Sequence, residues 1–376
     1  MKSVLSLVVT IVVLLTSSFA LAGREWHFQR VVDAQGQSLA GGSTALGMRS
    51  DFTWPVVVSG EGTAAMIPGG WVSSSSGIGG GRLDGTTSTD GTKMIFANEM
   101  GQIKMFGASG WSNSFVPAEI GPWSSTSVAF TQNNAPAALY QSQVTGKLTL
   151  SVMQGTQWTN TTVWDGFTQG PALAYDSYNQ ANVVFSQDQT LTYGTKGTLT
   201  NNMWAFTTPI NVPGLRSDNK IDLALTDNDI PYIVYQSYNM LSYTTYDRIQ
   251  GQWESGYIDY TGDFGNFTVV ADRFGGIGIA YFAEQPGGGP FSLGFAHNDG
   301  SGLWETEYLS LNIPNGPGSF FPDGSLGLAF DFDNNPVISF SNADDAWIAY
   351  DPFVIPEPAT CALLLLGAVG VFRSRK

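Results

Sequence analysis

Apolar and polar positions along this chain recur in short blocks, each reading as strand, polar turn, strand. The clearest is Ala129-Phe130-Thr131-Gln132-Asn133-Asn134-Ala135-Pro136, echoed by Ala329-Phe330-Asp331-Phe332-Asp333-Asn334-Asn335-Pro336 and by Ala224-Leu225-Thr226-Asp227-Asn228-Asp229-Ile230-Pro231. Looser copies start at Ala174 and Val270, and weaker ones near Gly47 and Gly85. Each block runs into an apolar stretch such as Tyr232-Ile233-Val234-Tyr235 or Val337-Ile338-Ser339-Phe340. Asn, Asp and Gly tolerate the tight, left-handed geometry that a two-strand turn requires, so the blocks predict antiparallel hairpins. Long stretches of helical periodicity are absent outside the two chain ends, which excludes a helical repeat.

A second marker sets the count. A tryptophan opens the last strand of every unit: Trp26, Trp71, Trp111, Trp158, Trp204, Trp253 and Trp304, at separations of 45, 40, 47, 46, 49 and 51 residues. Four short strands at that period predict an all-β fold, a single seven-bladed β-propeller, in preference to a β-sandwich, which needs no such repeat. The seventh unit offers strands near 328–331, 337–341 and 347–351 but no Trp-led fourth strand. Residues 25–32 have the missing pattern, comparable with 252–258 and 303–309. The N-terminal strand is therefore expected to complete the last blade and cover its edge, making residues 24–353 one domain.

The chain ends carry different signals. Residues 1–22 place Lys2 before an apolar stretch and end Ala20-Leu21-Ala22, the layout of a secretory signal peptide cleaved after Ala22. That makes the secretion translocase the first expected partner. The other end reads Ile355-Pro356-Glu357-Pro358-Ala359-Thr360, then an apolar run from Cys361 to Phe372, then Arg373-Ser374-Arg375-Lys376. Two prolines make the linker stiff and extended. The run of 12 residues would measure ~18 Å as a helix, short of the ~30 Å hydrocarbon core. The basic cluster favours a cytoplasmic stop.

Motif, run and basic tail together resemble a bacterial PEP-CTERM sorting signal over residues 354–376, also known under the label ice-binding protein C-terminal domain. The resemblance implies a two-membrane bacterium and an exosortase-type membrane protease that reads Pro356, Glu357 and Pro358. It also implies transient inner-membrane retention by a tail helix, followed by delivery to the cell surface or an exopolysaccharide matrix.

Composition narrows the body further. Taking Lys2, Arg373, Arg375 and Lys376 from 16 basic residues, and Glu357 from 31 acidic ones, leaves 12 against 30, a net charge near −18. Such a body repels nucleic acid and anionic lipid, so neither is a default partner. The one cysteine, Cys361, excludes a disulfide framework, and two histidines, His27 and His297, argue against a zinc site. No cofactor is expected. The Asp227-Asn228-Asp229 and Asp331-Phe332-Asp333-Asn334 turns are the candidates for Ca²⁺, although turn geometry alone already calls for these residues.

The Trp-led turns resemble the Asp-box of sialidase-like and lectin-like propellers. Ser151-Val152-Met153-Gln154-Gly155-Thr156-Gln157-Trp158 keeps that frame with Met153 in place of the aspartate, and Asp299 precedes Trp304 in another copy. No arginine triad with a tyrosine nucleophile and an acid assembles from these positions, so the chain reads as a non-enzyme, with a degenerate glycosidase as the enzymatic alternative. A binding face is the stronger expectation. Loops from second to third strands share one end of a propeller with the interblade connections. That end gathers Glu99, Gln143, Asp188, Tyr238, Glu284 and Asp344 with the aromatics Trp123, Trp164, Phe167, Phe264, Phe320 and Phe321. Carboxylates and amides beside aromatic plates suit the hydroxyls and C–H faces of a polysaccharide, with Glu99, Gln143, Asp188, Glu284, Asp344, Trp123 and Trp164 as the proposed contacts. The bland alternatives are aromatics that wedge between blades and a passive matrix protein.

Overall fold

The computed structural model describes residues 24–351 apart from 25, 33–36, 40–42, 49–54, 60–61, 68–69, 75–77, 79–81, 99–100, 108–109, 113–118, 121–125, 198–200, 216–220, 262–265, 285–290, 301, 310–324 and 343–344. The expected signal segment and sorting tail lie outside the described residues, as do Glu99, Trp123 and Asp344. No helix among the described residues is long and apolar enough to cross a membrane.

The strands form seven four-stranded antiparallel sheets. Their inner strands are Thr44–Met48, Leu83–Thr87, Thr126–Phe130, Gln169–Tyr175, Ile221–Leu225, Phe267–Ala271 and Gly327–Phe330, here blades one to seven. Consecutive inner strands touch around the ring, and blade seven meets both blade six and blade one. The chain is a seven-bladed β-propeller. As expected, the strand His27–Arg30 completes blade seven, pairing antiparallel with Asp345–Tyr350 in the register His27↔Tyr350 to Arg30↔Trp347.

The core is circular. Seven clusters of buried side chains each lie between two neighbouring blades, such as Val57 and Trp71 with Val337 and Ile348 between blades one and seven. Buried strands there read as continuous apolar runs, for example Pro55–Ser59 and Met94–Asn98, because both faces of a blade meet a neighbour. The repeated tryptophans sit at or just before the fourth strand and press on the preceding blade: Trp253 on Tyr193, Trp304 on Tyr243, Trp26 on Phe295.

The indole N–H groups of Trp71, Trp111, Trp158, Trp204 and Trp304 are buried without a hydrogen-bond partner, a cost of ~1–3 kcal/mol each. Burying ~200 Å² of ring at ~25 cal/mol/Å² gives about 5 kcal/mol and outweighs it. Trp26 escapes that cost, since its Nε1–H donates to Glu307 Oε2 at 2.9 Å.

Antiparallel alternation gives the propeller two unlike ends. The turn end carries the hairpins joining first to second and third to fourth strands. The loop end carries the second-to-third loops and the interblade connections. At the turn end, Asn134, Asn179, Asp229 and Asn334 adopt left-handed φ of 57, 61, 56 and 67°, and Gly275 stands at the same turn position in blade six.

These Asn and Asp side chains do a second job. Asn134 Oδ1 accepts from Thr89 N and Oγ1, Asn179 Oδ1 from Gln132 N, Asp229 from Ser177 N and Oγ, and Asn334 Oδ1 from Arg273 N. Each turn is thereby clipped to the turn of the preceding blade, at about 1 kcal/mol per neutral bond and more for the Asp229 carboxylate.

Candidate functional site

The loop end of blade four carries a concavity. Its second and third strands, Ala181–Gln187 and Thr190–Lys196, are joined through Asp188 and Gln189. Both have left-handed φ, 46 and 67°. Two successive left-handed residues match the twist of a hairpin, although Gly normally takes the second place. The hairpin is tied down where Val212 N donates to Gln189 O at 2.8 Å.

On the other side runs the connection from blade three. Thr168 N and Oγ1 both donate to Gln141 Oε1, and Gln141 Nε2 donates to the carbonyls of Gly146 and Gly166. Between hairpin and connection lies a cavity of about 310 Å³ lined by Phe167, Gln169, Ser186, Gln187, Asp188, Gln189 and Leu215. Phe167 is 68% exposed although it is a bare aromatic ring. A cavity lined by an exposed aromatic residue, a carboxylate residue and three amide residues offers an apolar plate for stacking and polar groups for hydroxyls.

Blade five repeats part of this arrangement. Tyr238, with φ 52°, occupies the same loop position. Its N–H donates to Gly214 O at 3.2 Å. Its ring lies where a Cβ on Gly214 would come within 2.6 Å, and the φ of 77° at Gly214 independently favours glycine there. Asn239 Nδ2 donates to Tyr260 Oη, adding a second exposed phenol at this end.

The sequence-derived contacts distribute as follows. Asp188 lines the cavity. Gln143 is exposed on the blade-three loop, its N–H donating to Glu119 O at 3.3 Å. Glu284 ends the strand Ile277–Glu284 opposite Phe291, at the same end of blade six.

Trp164 departs from its expected place in an interblade connection. It is the last residue of the strand Gln157–Trp164 and packs on Phe185 and Phe206 at 5.4 and 5.1 Å between ring centroids, within the cluster of blades three and four. Phe167 is the aromatic at the cavity. Its signal in the sequence was the step from strand into Asp165-Gly166, which carries the following ring clear of the blade.

The acidic turns engage their carboxylates locally. Asp272 accepts from Phe274 N, Gly276 N and His297 Nε2, and Asp331 Oδ1 accepts from Asn335 N. Burial opposes ionisation of Asp272, but these bonds together with one from Asn334 outweigh it and hold its pKa below the ordinary carboxylate value. No group of three or more His, Cys, Asp or Glu side chains able to hold a metal occurs among the described residues.

The nearest thing to a tyrosine–carboxylate pair lies between blades five and six, where Tyr281 and Tyr308 hydroxyls both donate to Asp259 Oδ2 at 2.6 Å. Burial first, then the charge of Asp259 and the hydrogen bond to it, pushes both phenols well above their ordinary value, which makes them neutral donors and poor nucleophiles. Arg24, Arg248 and Arg273 bond to Glu307, the Asp229 carbonyl and the Phe332 carbonyl, spread over different blades.

No family model and no curated protein matches the chain. Among solved structures, a mutant Aleuria aurantia lectin in complex with Fucalpha1-6GlcNAc aligns with a TM-score of 0.52 at 12% identity, over 71% of this chain and 91% of the lectin. Kuenenia stuttgartiensis hydrazine synthase aligns with a TM-score of 0.51 at 14% identity, over 69% of this chain and 73% of that one. Likeness at this identity shows a shared fold, and the chain is similar to both as a β-propeller.

Proposed function

We propose that this is an exported, non-enzymatic binding protein whose loop end holds an extracellular polysaccharide. The observation that carries the reading is that the exposed Phe167, Asp188 and the amide residues Gln169, Gln187 and Gln189 line one cavity. The sugar held by the Aleuria aurantia lectin supports the ligand class. Gln143 and Glu284 stand at the same end and extend the face to neighbouring blades. With a body charge near −18, a neutral glycan is preferred over an anionic one. Each aromatic platform contributes ~1 kcal/mol, so useful affinity needs one polymer to engage several blades.

Calorimetric titration of residues 23–353 with neutral and acidic polysaccharides, with calcium or a chelator, tests this. Phe167→Ala combined with Asp188→Ala should weaken binding roughly tenfold or more, from the loss of one stack and one charged acceptor. Trp164→Ala is the companion variant, and its effect should fall on the melting temperature because its indole packs between blades. Heat of binding unaltered by the double variant places the ligand elsewhere. No binding to any polymer leaves the passive matrix protein, and fluorophore release from a glycoside would raise the glycosidase.

Export belongs to the same proposal. The secretion translocase takes the chain across the inner membrane, and an exosortase-type protease reads Pro356-Glu357-Pro358. Glu357→Ala should leave the tail uncut and the protein held at the inner membrane. Mass spectra of cell-surface material that still contain Lys376 would count against processing.

A further inference from the structure

The turn end of the propeller carries large apolar side chains at the tips of its hairpins. Tyr178, Phe274 and Phe332 stand on turns from first to second strands, and Met203 and Ile249 on turns from third to fourth. Phe274, Phe332 and Ile249 are 80, 75 and 98% exposed. Turn tips need no such residues, since polar side chains satisfy the geometry better. The loop end also exposes Val144 at one tip and the rings of Phe167, Tyr238 and Tyr260, but there Phe167 belongs to a cavity, Tyr238 lies over Gly214 and Tyr260 Oη accepts from Asn239.

The chain also enters and leaves at the turn end. His27 pairs with Tyr350, and Tyr350 closes a third strand, which runs from the loop end to the turn end. Nine residues stand between Asp351 and Cys361, where the apolar run begins, a reach of at most ~35 Å fully extended. That run is too short to span a bilayer as a helix, so it needs further apolar contact to stay at one.

We infer that, while its tail is attached, the propeller rests on a zwitterionic lipid surface through the apolar turn tips, with the loop end and its cavity facing away. The acidic body disfavours an anionic bilayer, which leaves zwitterionic lipid as the surface it tolerates. Insertion of isolated tips is shallow and additive, each burying part of one side chain among the headgroups. The inference rests on the proposed membrane affinity of the tail and is independent of any glycan.

The test uses the full chain with Cys361→Ser and one new cysteine, Asn228→Cys on an exposed turn tip or Val144→Cys on an exposed loop tip. Each is labelled with an environment-sensitive fluorophore and mixed with phosphatidylcholine vesicles containing brominated acyl chains. Quenching at position 228 with little at 144 is the expected result. Equal quenching, or the reverse order, overturns the orientation alone. Failure to sediment with the vesicles overturns the tail's membrane affinity as well. A label at 228 that shifts without lipid would assign the face to the tail itself and overturn the proposal too. In the unlabelled chain, Ile249→Ser, Phe274→Ser and Phe332→Ser together should lower vesicle partition roughly tenfold; unchanged partition is the contrary outcome.

Discussion

Deleting residues 24–32 should convert a folded protein into material that aggregates on expression or melts far below the intact chain. The strand His27–Arg30 is the outer strand of blade seven, and its removal bares the backbone of Asp345–Tyr350. Within that strand Ala346, Ile348 and Ala349 are fully buried and Tyr350 nearly so, so the new edge would be apolar as well as unpaired. Val31, itself fully buried, would also go, with its N–H bond to Ala346 O at 2.9 Å.

A milder probe is Trp26→Ala. The indole meets Phe295 edge-on at 5.5 Å and donates to Glu307, which also pairs with Arg24 at 3.0 Å. Full burial would make its loss worth ~3–5 kcal/mol, and a half-buried ring should cost roughly 2–3 kcal/mol. Denaturant unfolding gives both numbers. A truncated chain as stable as the parent would show that the ring is closed elsewhere.

Ring closure was legible because the tryptophan marker recurs at each fourth strand and is absent from the last unit, so a strand with that pattern at the other terminus had one place to go. The strand ends came close for the same reason, the turns being fixed by Asn, Asp and Gly. What the turns do between blades was not legible. An asparagine at a left-handed position is accounted for by its own hairpin, and nothing in the residue says that Asn179 also accepts from Gln132 of the blade before it. That bond exists only because the ring brings two turns together.

Trp164 shows how a face can be misjudged. Along Gln157–Trp164 strict alternation would put Trp158 and Trp164 on one face of the blade. The register slips between Leu148 and Thr149, leaving Val163 as an extra residue. The slip sends Trp158 into the cluster shared with blade two and Trp164 into the one shared with blade four. A bulge of this kind is set by the pairing of two strands and has no marker in one of them. It also explains why the aromatic at the cavity is Phe167, beyond the strand, while the ring at its end serves packing.

The most damaging single substitution expected in the propeller is Gly327→Val. Gly327 opens the inner strand of blade seven beside the inner strand of blade one, where the ring closes. Thr44 N donates to Ser325 O at 3.1 Å, Ser325 Oγ donates to Thr44 O at 3.1 Å, and Ser339 Oγ donates to Thr44 Oγ1 at 3.2 Å, so the two blades are stitched at this point. A Cβ on Gly327 would come within 2.5 Å of Leu46 N and Ser339 Oγ and within 2.7 Å of Leu46 Cβ.

A backbone nitrogen cannot step aside, because Leu46 is held in its ladder opposite Val57. Relief would have to come from parting the blades, which opens the cluster of Val57, Trp71, Val337 and Ile348. Overpacking costs ~1–3 kcal/mol where side chains are able to yield, and here they are not, so Val should cost about 3 kcal/mol or more. Gly47→Ala is the control. Its Cβ would meet Met94 Sδ at 2.3 Å and Cγ at 2.9 Å, atoms of a buried but unbranched side chain that can shift where a backbone nitrogen cannot. A loss of about 4 °C or more for Gly327→Val, against a smaller one for Gly47→Ala, is the expected calorimetric result. Equal melting temperatures for the two variants would mean that the seam between blades seven and one gives way freely, and that the loop end built on it is less rigid than its hydrogen bonds imply.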